Sequence, residues 1–201
     1  TQFFDLQGRT DMPISYGDHI TMRNCNLQCR NVFEVQKSDL FHVLYFPQGQ
    51  PVHVQTSASV VKNDWKPVSW TLAERGGDLL LTTATNVVRI NKQTGQLRFE
   101  DKQGHTLLDE LDGDSRRLEP CEVMGEQTWH VEQRFASPDD EAIYGLGQFH
   151  EGVMNFKDYY LRLRQFNTVI ALPFYISTRG YGLFWNNASM TEWNPEREEL
   201  E

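Results

Sequence analysis

The chain has 201 residues, of which 39% are hydrophobic and 12% aromatic, and its formal charge at pH 7 is −9. This length can bury a sizeable core within one domain, and the hydrophobic content is typical of a globular protein. Because the charge is negative, lysines and arginines do not cluster and no apolar run approaches the roughly 20 residues of a membrane span, a neutral partner is favoured over nucleic acid or lipid.

The first third of the chain alternates short apolar segments with turn residues. Residues 1–18 are polar and lack any regular period, which predicts an arm that leads to the first strand. Alternating residues predict strands at 19–24, 31–36 and 40–46. Further along, Trp65 and Trp70 flank Pro67. Such a pair can stack on a sugar, but large aromatic residues more often anchor a core, and a core role is favoured.

From residue 70 onward the pattern becomes regular. Alternating segments separated by glycine-containing turns predict consecutive β-hairpins, and no segment has the spacing of a helix. A loop is predicted at 108–117, where several carboxylates invite a calcium interpretation; the spacing does not match an EF-hand, and a solvated loop is favoured. The strands are predicted at 70–74, 79–83, 87–91, 96–100, 105–108 and 129–135.

Residues 143–187 combine glycines, aromatic residues and uncharged polar groups more densely than any other segment. The closely spaced Gly145, Gly147 and Gly152 predict a loop with unusual φ values or a ligand close to the backbone. A hairpin follows: Ile170, Leu172, Phe174 and Ile176 share one face of a strand, a turn follows at 178–180, and the alternation resumes at 181–185.

About a dozen short strands without a helix predict an all-β fold, a large antiparallel two-sheet β-sandwich that occupies residues 19–201 as one domain. A β-barrel is the second choice.

Catalytic and metal-binding patterns are sparse. There is no G-x-S-x-G elbow, and no pair of histidines has metal-ligand spacing. The adjacent His150 and Glu151 would suit acid–base chemistry on a sugar only if a loop folded them together, since neighbours on a strand point to opposite faces.

Cys25, Cys29 and Cys121 offer one C-x3-C pair without a second pair for zinc. We therefore predict no metal and no cofactor, with one disulfide open if the protein is exported. The compartment stays open, with a periplasmic or secreted location favoured.

Several segments together resemble the N-terminal domain of glycoside hydrolase family 31. They are F-A-S-P-D-D-E-A-I-Y-G-L-G-Q at 135–148, Q-F-N at 165–167 and L-P-F-Y-I-S-T-R-G-Y-G-L-F-W-N-N at 172–187, with similar segments at 38–47 and 87–104. The resemblance covers about residues 19–187. It implies a galactose-mutarotase-like β-sandwich, whose last strands can lie beyond Glu201, followed by a catalytic (β/α)8 barrel of the same polypeptide.

The resemblance also implies what this chain does not do. The family places its nucleophile in a W-x-D-M-N motif on the barrel, and none of the five tryptophans is followed by x-D-M-N. We therefore predict no catalytic residue here. The chain is predicted to support the barrel of an enzyme that removes terminal α-linked xylose or glucose from oligosaccharides such as xyloglucan fragments.

A substrate-facing loop is predicted at Gln165, Phe166 and Asn167, with Arg164 as a neighbour. Many α-glucosidases of the family carry an Asn-Arg-Asp type loop there, and the Q-F-N version resembles the bacterial α-xylosidase branch. Amides can bind sugar hydroxyls and Phe166 offers a stacking face, although Gln165 and Asn167 can equally cap strand ends. A freestanding carbohydrate-binding sandwich is the alternative function, and an aldose-epimerase-like enzyme is less favoured.

Overall fold

The computed structural model describes residues 19–23, 29–47, 57, 59–62, 64–113 and 115–195. Fifteen strands and no helix lie in these ranges, and every strand pair is antiparallel. The strands are β1 His19–Arg23, β2 Cys29–Lys37, β3 Leu40–Pro47, β4 Thr71–Arg75, β5 Asp78–Thr82, β6 Asn86–Asn91, β7 Leu97–Asp101, β8 Thr106–Asp109, β9 Arg116–Val123, β10 Glu126–Gln133, β11 Ile143–Gln148, β12 Leu161–Leu163, β13 Ile170–Ser177, β14 Gly182–Phe184 and β15 Thr191–Trp193.

The chain forms two compact units. The first contains Thr1–Thr56 and Val60–Ala136, and the second contains Ser57–Ser59 and Ser137–Glu201. The first unit holds a three-stranded sheet of order β1-β2-β3, a five-stranded meander β4-β5-β6-β7-β8 and a ribbon of β9 and β10. The predicted arm at 1–18 lies outside the described residues, and the extent of the predicted domain stays a prediction.

The core of the first unit follows from the period of its strands. Alternate residues of the meander are buried because successive side chains of a strand point to opposite faces. Three phenylalanines from different strands, Phe33, Phe41 and Phe99, meet over this layer with ring centroids 5.5 to 6.2 Å apart. Trp70 packs against the same cluster, which supports its predicted core role. The buried residues of the cluster are Phe33, Val35, Leu79, Leu81, Val88, Ile90 and Leu97.

A buried ion pair joins the end of the meander to the base of the ribbon. Both Nε and Nη2 of Arg116 donate to Oε1 of Glu110, and the backbone N–H of Leu97 donates to Oε2 at 2.9 Å. Burial acts to raise the pKa of Glu110, whereas the guanidinium at hydrogen-bond distance acts to lower it by favouring the ionised carboxylate. We take the carboxylate as ionised at neutral pH, since protonation would leave the equally buried Arg116 without its counter-charge.

The predicted acidic loop at 108–117 is shorter than expected, because β8 extends to Asp109 and β9 begins at Arg116. Asp109 ends β8, and Glu110 forms a β-bridge with Phe135. Asp109 accepts from Arg98 at 2.7 Å, and Glu110 pairs with Arg116. Arginines therefore hold these two carboxylates as separate ion pairs, and the calcium interpretation is not supported.

The second unit contains a three-stranded sheet of order β11-β13-β14 and a two-stranded sheet of β12 and β15. One side of the larger sheet faces a core to which Tyr175 contributes its ring, 5.0 Å from that of Trp193. The indole N–H of Trp193 donates to the carbonyl of Phe156 at 2.8 Å, which satisfies its polar atom within the core. The buried members of this core are Ile143, Leu146, Phe156, Leu161, Leu163 and Tyr175.

Candidate functional site

Gly145 and Gly147 lie in a strand, β11, and not in the predicted loop, whereas Gly152 lies in the loop that follows, with a φ of 67°. Gly145 and Gly147 have φ values of 119° and 121°, which confirms the predicted unusual backbone. A Cβ atom on Gly147 would lie 1.9 Å from the carbonyl oxygen of Ile170, and one on Gly145 would lie 2.7 Å from that of Phe174. The backbone that approaches these glycines is therefore that of β13, across a register shift between the two glycines.

The predicted substrate-facing loop is a tight turn between β12 and β13. The backbone N–H of Val169 donates to the carbonyl of Phe166 at 3.1 Å, and Thr168 has a φ of 71°. The Val169 side chain is buried and anchors the end of the turn, while residues 164–168 are exposed. The loop thus presents side chains to the surface from a fixed base.

The four predicted site residues have different environments in this loop. The Arg164 guanidinium carbon lies 5.2 Å from the centroid of the Phe166 ring, a cation–π contact that leaves the ring half-exposed. Oε1 of Gln165 accepts the backbone N–H of Ala171 at 3.2 Å, so this oxygen does cap the strand. The Asn167 side chain has no hydrogen-bond partner among the described residues. The loop therefore offers an aromatic face, a cation and two amide groups, with one amide oxygen engaged.

The hairpin that follows the loop matches the prediction. Phe174 lies opposite Phe184 and Ile176 lies opposite Gly182, with the turn at 178–180 between the strands. Below the hairpin, Oε1 of the buried Glu141 accepts the hydroxyls of Ser177 and Tyr181. Burial raises the pKa of Tyr181, and Tyr175 and Glu141 beside it act in the same direction. Tyr181 thus stays a neutral hydrogen-bond donor that ties the hairpin to Glu141.

The apolar face of β13 points outward. Ile170, Leu172 and Ile176 are each 51 to 52% exposed, whereas Tyr175, on the other face, is buried. Phe174 and its cross-strand partner Phe184 extend this face onto β14. We call these five side chains, Ile170, Leu172, Phe174, Ile176 and Phe184, the outward face. Sequence reasoning placed the β13 residues on one face but did not say which way it points.

A small pocket opens beside Phe184, where β14 ends. Oδ1 of Asn186 accepts the hydroxyl of Ser57 at 2.8 Å, and Oδ1 of Asn187 accepts the backbone N–H of Ser189 at 2.8 Å. These bonds fix both amides, and sequence reasoning assigned no role to Asn186. The lining residues are Ser59, Pro173, Phe184, Trp185, Asn186, Asn187 and Ala188.

Other candidate chemistry remains dispersed. His150 and Glu151 are exposed in the loop that follows β11. Within the described ranges, no group of three His, Cys, Asp or Glu residues could hold a metal ion. Those ranges also contain no helix that is long and apolar enough to cross a membrane. Cys121 is a free thiol, and Cys25 lies outside the described residues.

Residues 31–194 match the family described as the glycosyl hydrolase 31 N-terminal galactose mutarotase-like domain. An alpha-xylosidase of Saccharolobus solfataricus is 30% identical over 122 residues, which is 56% of this chain and 16% of that protein. A family 31 glucosidase of Pseudescherichia vulneris is 27% identical over 138 residues, or 59% of this chain and 26% of the relative.

Solved structures give the same result. An alpha-xylosidase from Xanthomonas citri superposes with a TM-score of 0.79 at 33% identity, over 89% of this chain and 19% of the other. An alpha-xylosidase from a soil metagenome, complexed with xylose, superposes with a TM-score of 0.74 at 24% identity, over 89% of this chain and 28% of the other. The predicted all-β sandwich class is confirmed. This chain spans less than a third of each of these proteins.

Proposed function

Since this chain belongs to the glycosyl hydrolase 31 N-terminal galactose mutarotase-like domain family, we propose that it is the non-catalytic domain of an α-glycosidase. The parent enzyme removes terminal α-linked xylose or glucose from oligosaccharides. A (β/α)8 barrel in the same polypeptide carries the catalytic carboxylates. This chain supports the barrel and contributes the loop at 164–168 to the rim of its substrate site.

The outward face of β13 and β14 is the observation that carries this proposal. These five large apolar side chains are exposed to water. Each Å² of this surface that a partner covered would stabilise the complex by about 25 cal/mol of free energy. Contiguous exposed apolar patches of this kind mark interaction surfaces. The occupant that we propose is the remainder of the polypeptide, because the matched segments are only 16% and 26% of the two relatives.

The loop at 164–168 is suited to a neutral substrate. An aromatic face stacks on the C–H side of a sugar ring, and amides donate to and accept from hydroxyls without introducing a charge. The guanidinium of Arg164 lies against the Phe166 ring, so its positive charge is directed towards that ring. The loop also leads directly into β13 and its outward face. A contribution to binding, with the bond cleavage performed elsewhere, fits these groups.

The preference for xylose rests on the relatives. Two of the solved structures most similar to this chain are those of alpha-xylosidases, and one of them was determined with xylose. The Q-F-N sequence of the loop points in the same direction. We therefore propose α-xylosidase activity for the parent enzyme ahead of α-glucosidase activity.

The test is an Asn167→Ala replacement in the full polypeptide, assayed with 4-nitrophenyl α-xyloside. Loss of one hydrogen bond to the substrate in the transition state costs about 1 kcal/mol or more, so we expect kcat/KM to fall about fivefold. Gln165→Ala should lower kcat/KM as well, and it should also lower the thermal midpoint because Oε1 of Gln165 caps Ala171.

Gln103→Ala is the matched control, since Gln103 is an exposed amide in a turn of the other unit. It should leave both quantities unchanged. Wild-type kcat/KM in the Asn167→Ala variant would reject the loop assignment.

A further inference from the structure

The ribbon of β9 and β10 in the first unit has two chemically different faces. Residues directly opposite each other on paired strands share a face. Trp129 lies opposite Pro120, Val131 opposite Leu118, and Gln127 opposite Glu122. We call these six residues the indole face. Trp129 is 40% exposed and Val131 is 38% exposed, so the centre of this face is an accessible apolar surface.

Two polar groups lie at the end of the indole face nearest the ribbon turn. Nε2 of Gln127 donates to Oε2 of Glu122 at 2.9 Å, and both side chains are exposed. This bond orients the amide and the carboxylate beside the strand position of Trp129. The carboxylate keeps further acceptor sites, and the amide keeps its carbonyl oxygen.

The opposite face of the ribbon has a different character. It carries the charged residues Arg117 and Glu119, whose Nε and Oε1 atoms lie 3.7 Å apart. The exposed His130 lies opposite Glu119 on the same face. That face also carries Thr128, so the indole face differs from it in having a large exposed indole, that of Trp129, beside the bonded pair of Gln127 and Glu122. Since the two faces belong to the same two strands, a variant on one has a matched control on the other.

The size of the indole face argues against a protein partner. A stable protein interface buries about 800 Å² on each side, whereas a large aromatic residue supplies about 150 to 250 Å² when it is fully buried. Trp129 is already partly covered, and its apolar neighbours are Pro120, Val131 and the half-buried Leu118, none of them aromatic. This area fits one or two sugar rings, and the net charge of −9 favours a neutral ligand.

We propose that the indole face is a second carbohydrate-binding site, distinct from the loop at 164–168, which holds a neutral polysaccharide chain. The C–H face of one pyranose ring stacks on the Trp129 indole. Hydroxyls of the same or the next sugar accept from and donate to Gln127 and Glu122. The site retains the polymer on the enzyme and takes no part in bond cleavage, so it goes beyond the proposed function.

The experiment is native gel electrophoresis of the full polypeptide through gels containing xyloglucan or dextran. We expect retardation by at least one polymer, and the two gels distinguish which sugar is held. Trp129→Ala should raise the apparent Kd for the polymer about fivefold or more. The apparent Kd of Trp129→Phe should lie between those of Trp129→Ala and the unaltered protein. His130→Ala, on the opposite face, should migrate like the unaltered protein.

If Trp129→Ala lowers the thermal midpoint, a loss of retardation could reflect misfolding. A second variant, Gln127→Ala, is therefore included, and Gln127→Ala should also weaken retardation. The proposal is overturned if neither polymer retards the unaltered protein, if both indole-face variants retain full retardation, or if His130→Ala loses as much. A Trp129 variant that alters the sedimentation mass and leaves retardation intact would instead assign the face to a protein partner and overturn the proposal. Asn167→Ala should change turnover of the small xyloside and not retardation, so failures of the two proposals are distinguishable.

Discussion

The central sheets of the two units use the same sequence pattern with opposite results. In the first unit, alternate residues of β5 and β6 such as Leu81 and Val88 have no exposed surface at all, 0% in each case. In the second unit, the alternate residues Phe174 and Ile176 of β13 belong to the outward face, and Tyr175 between them is buried. Period-two alternation therefore fixes which side chains share a face, but not whether that face is covered by the chain itself.

This difference indicates how the two units achieve stability. In the first unit, Phe99 of the meander packs with Phe33 of β2 and Phe41 of β3, so the core is completed within the unit. The sheet of the second unit covers one side with its own core and leaves the other apolar side to an occupant, which we propose to be the rest of the polypeptide. We therefore expect substitutions in the two sheets to act on different properties, stability in the first and association in the second.

The same substitution at equivalent strand positions should give the largest contrast. Leu81→Ala removes a fully buried side chain and should lower the free energy of unfolding by about 2 to 5 kcal/mol. Leu172→Ala, on the outward face, should change it by less than about 0.5 kcal/mol in the 201-residue chain. Urea unfolding of both variants measures the two values. Equal losses would mean that the outward face is already covered within this chain.

A smaller effect is expected where β11 approaches β13. Gly147→Ala forces a side chain into a positive φ of 121° and places its Cβ atom against the carbonyl of Ile170. Strain and overpacking each cost about 1 to 3 kcal/mol, so we expect a loss of at least about 2 kcal/mol. Gly104→Ala, at a φ of 86° with no atom within 4 Å of its Cβ position, carries the strain alone and should cost less. Equal thermal midpoints for the two variants would contradict the close approach.

Sequence reasoning recovered the hairpin order of the first unit because glycine turns separate strands of clear period, as at β4 to β8. It missed β9, since Arg116–Val123 is rich in charge and contains Pro120. Proline cannot donate a backbone hydrogen bond, so it is found in edge strands such as those of this two-stranded ribbon. It missed β11 because Gly145 and Gly147 imitate a loop, although they permit a bulge against β13.

The candidate site was predictable only in part, for a physical reason. The Q-F-N sequence located the loop at 164–168, but the engagement of Gln165 by the N–H of Ala171 depends on the register of β13. The outward direction of Ile170, Leu172, Phe174 and Ile176 depends on which side the core of the second unit occupies. Neither property is contained in the local pattern of residues.

Thiol labelling of the full polypeptide tests whether the outward face of β13 and β14 is covered by the rest of the polypeptide. The variants are Leu172→Cys on this face and, as the accessible reference, Met124→Cys at the turn of the ribbon, where the Met124 side chain is 99% exposed. The unaltered protein gives the background from the native cysteines. We predict that maleimide labels Cys at position 172 at least about 100-fold more slowly than at position 124, since modification would require local opening of a packed interface. Labelling of both positions at the same rate would show that the outward face is open in the full polypeptide.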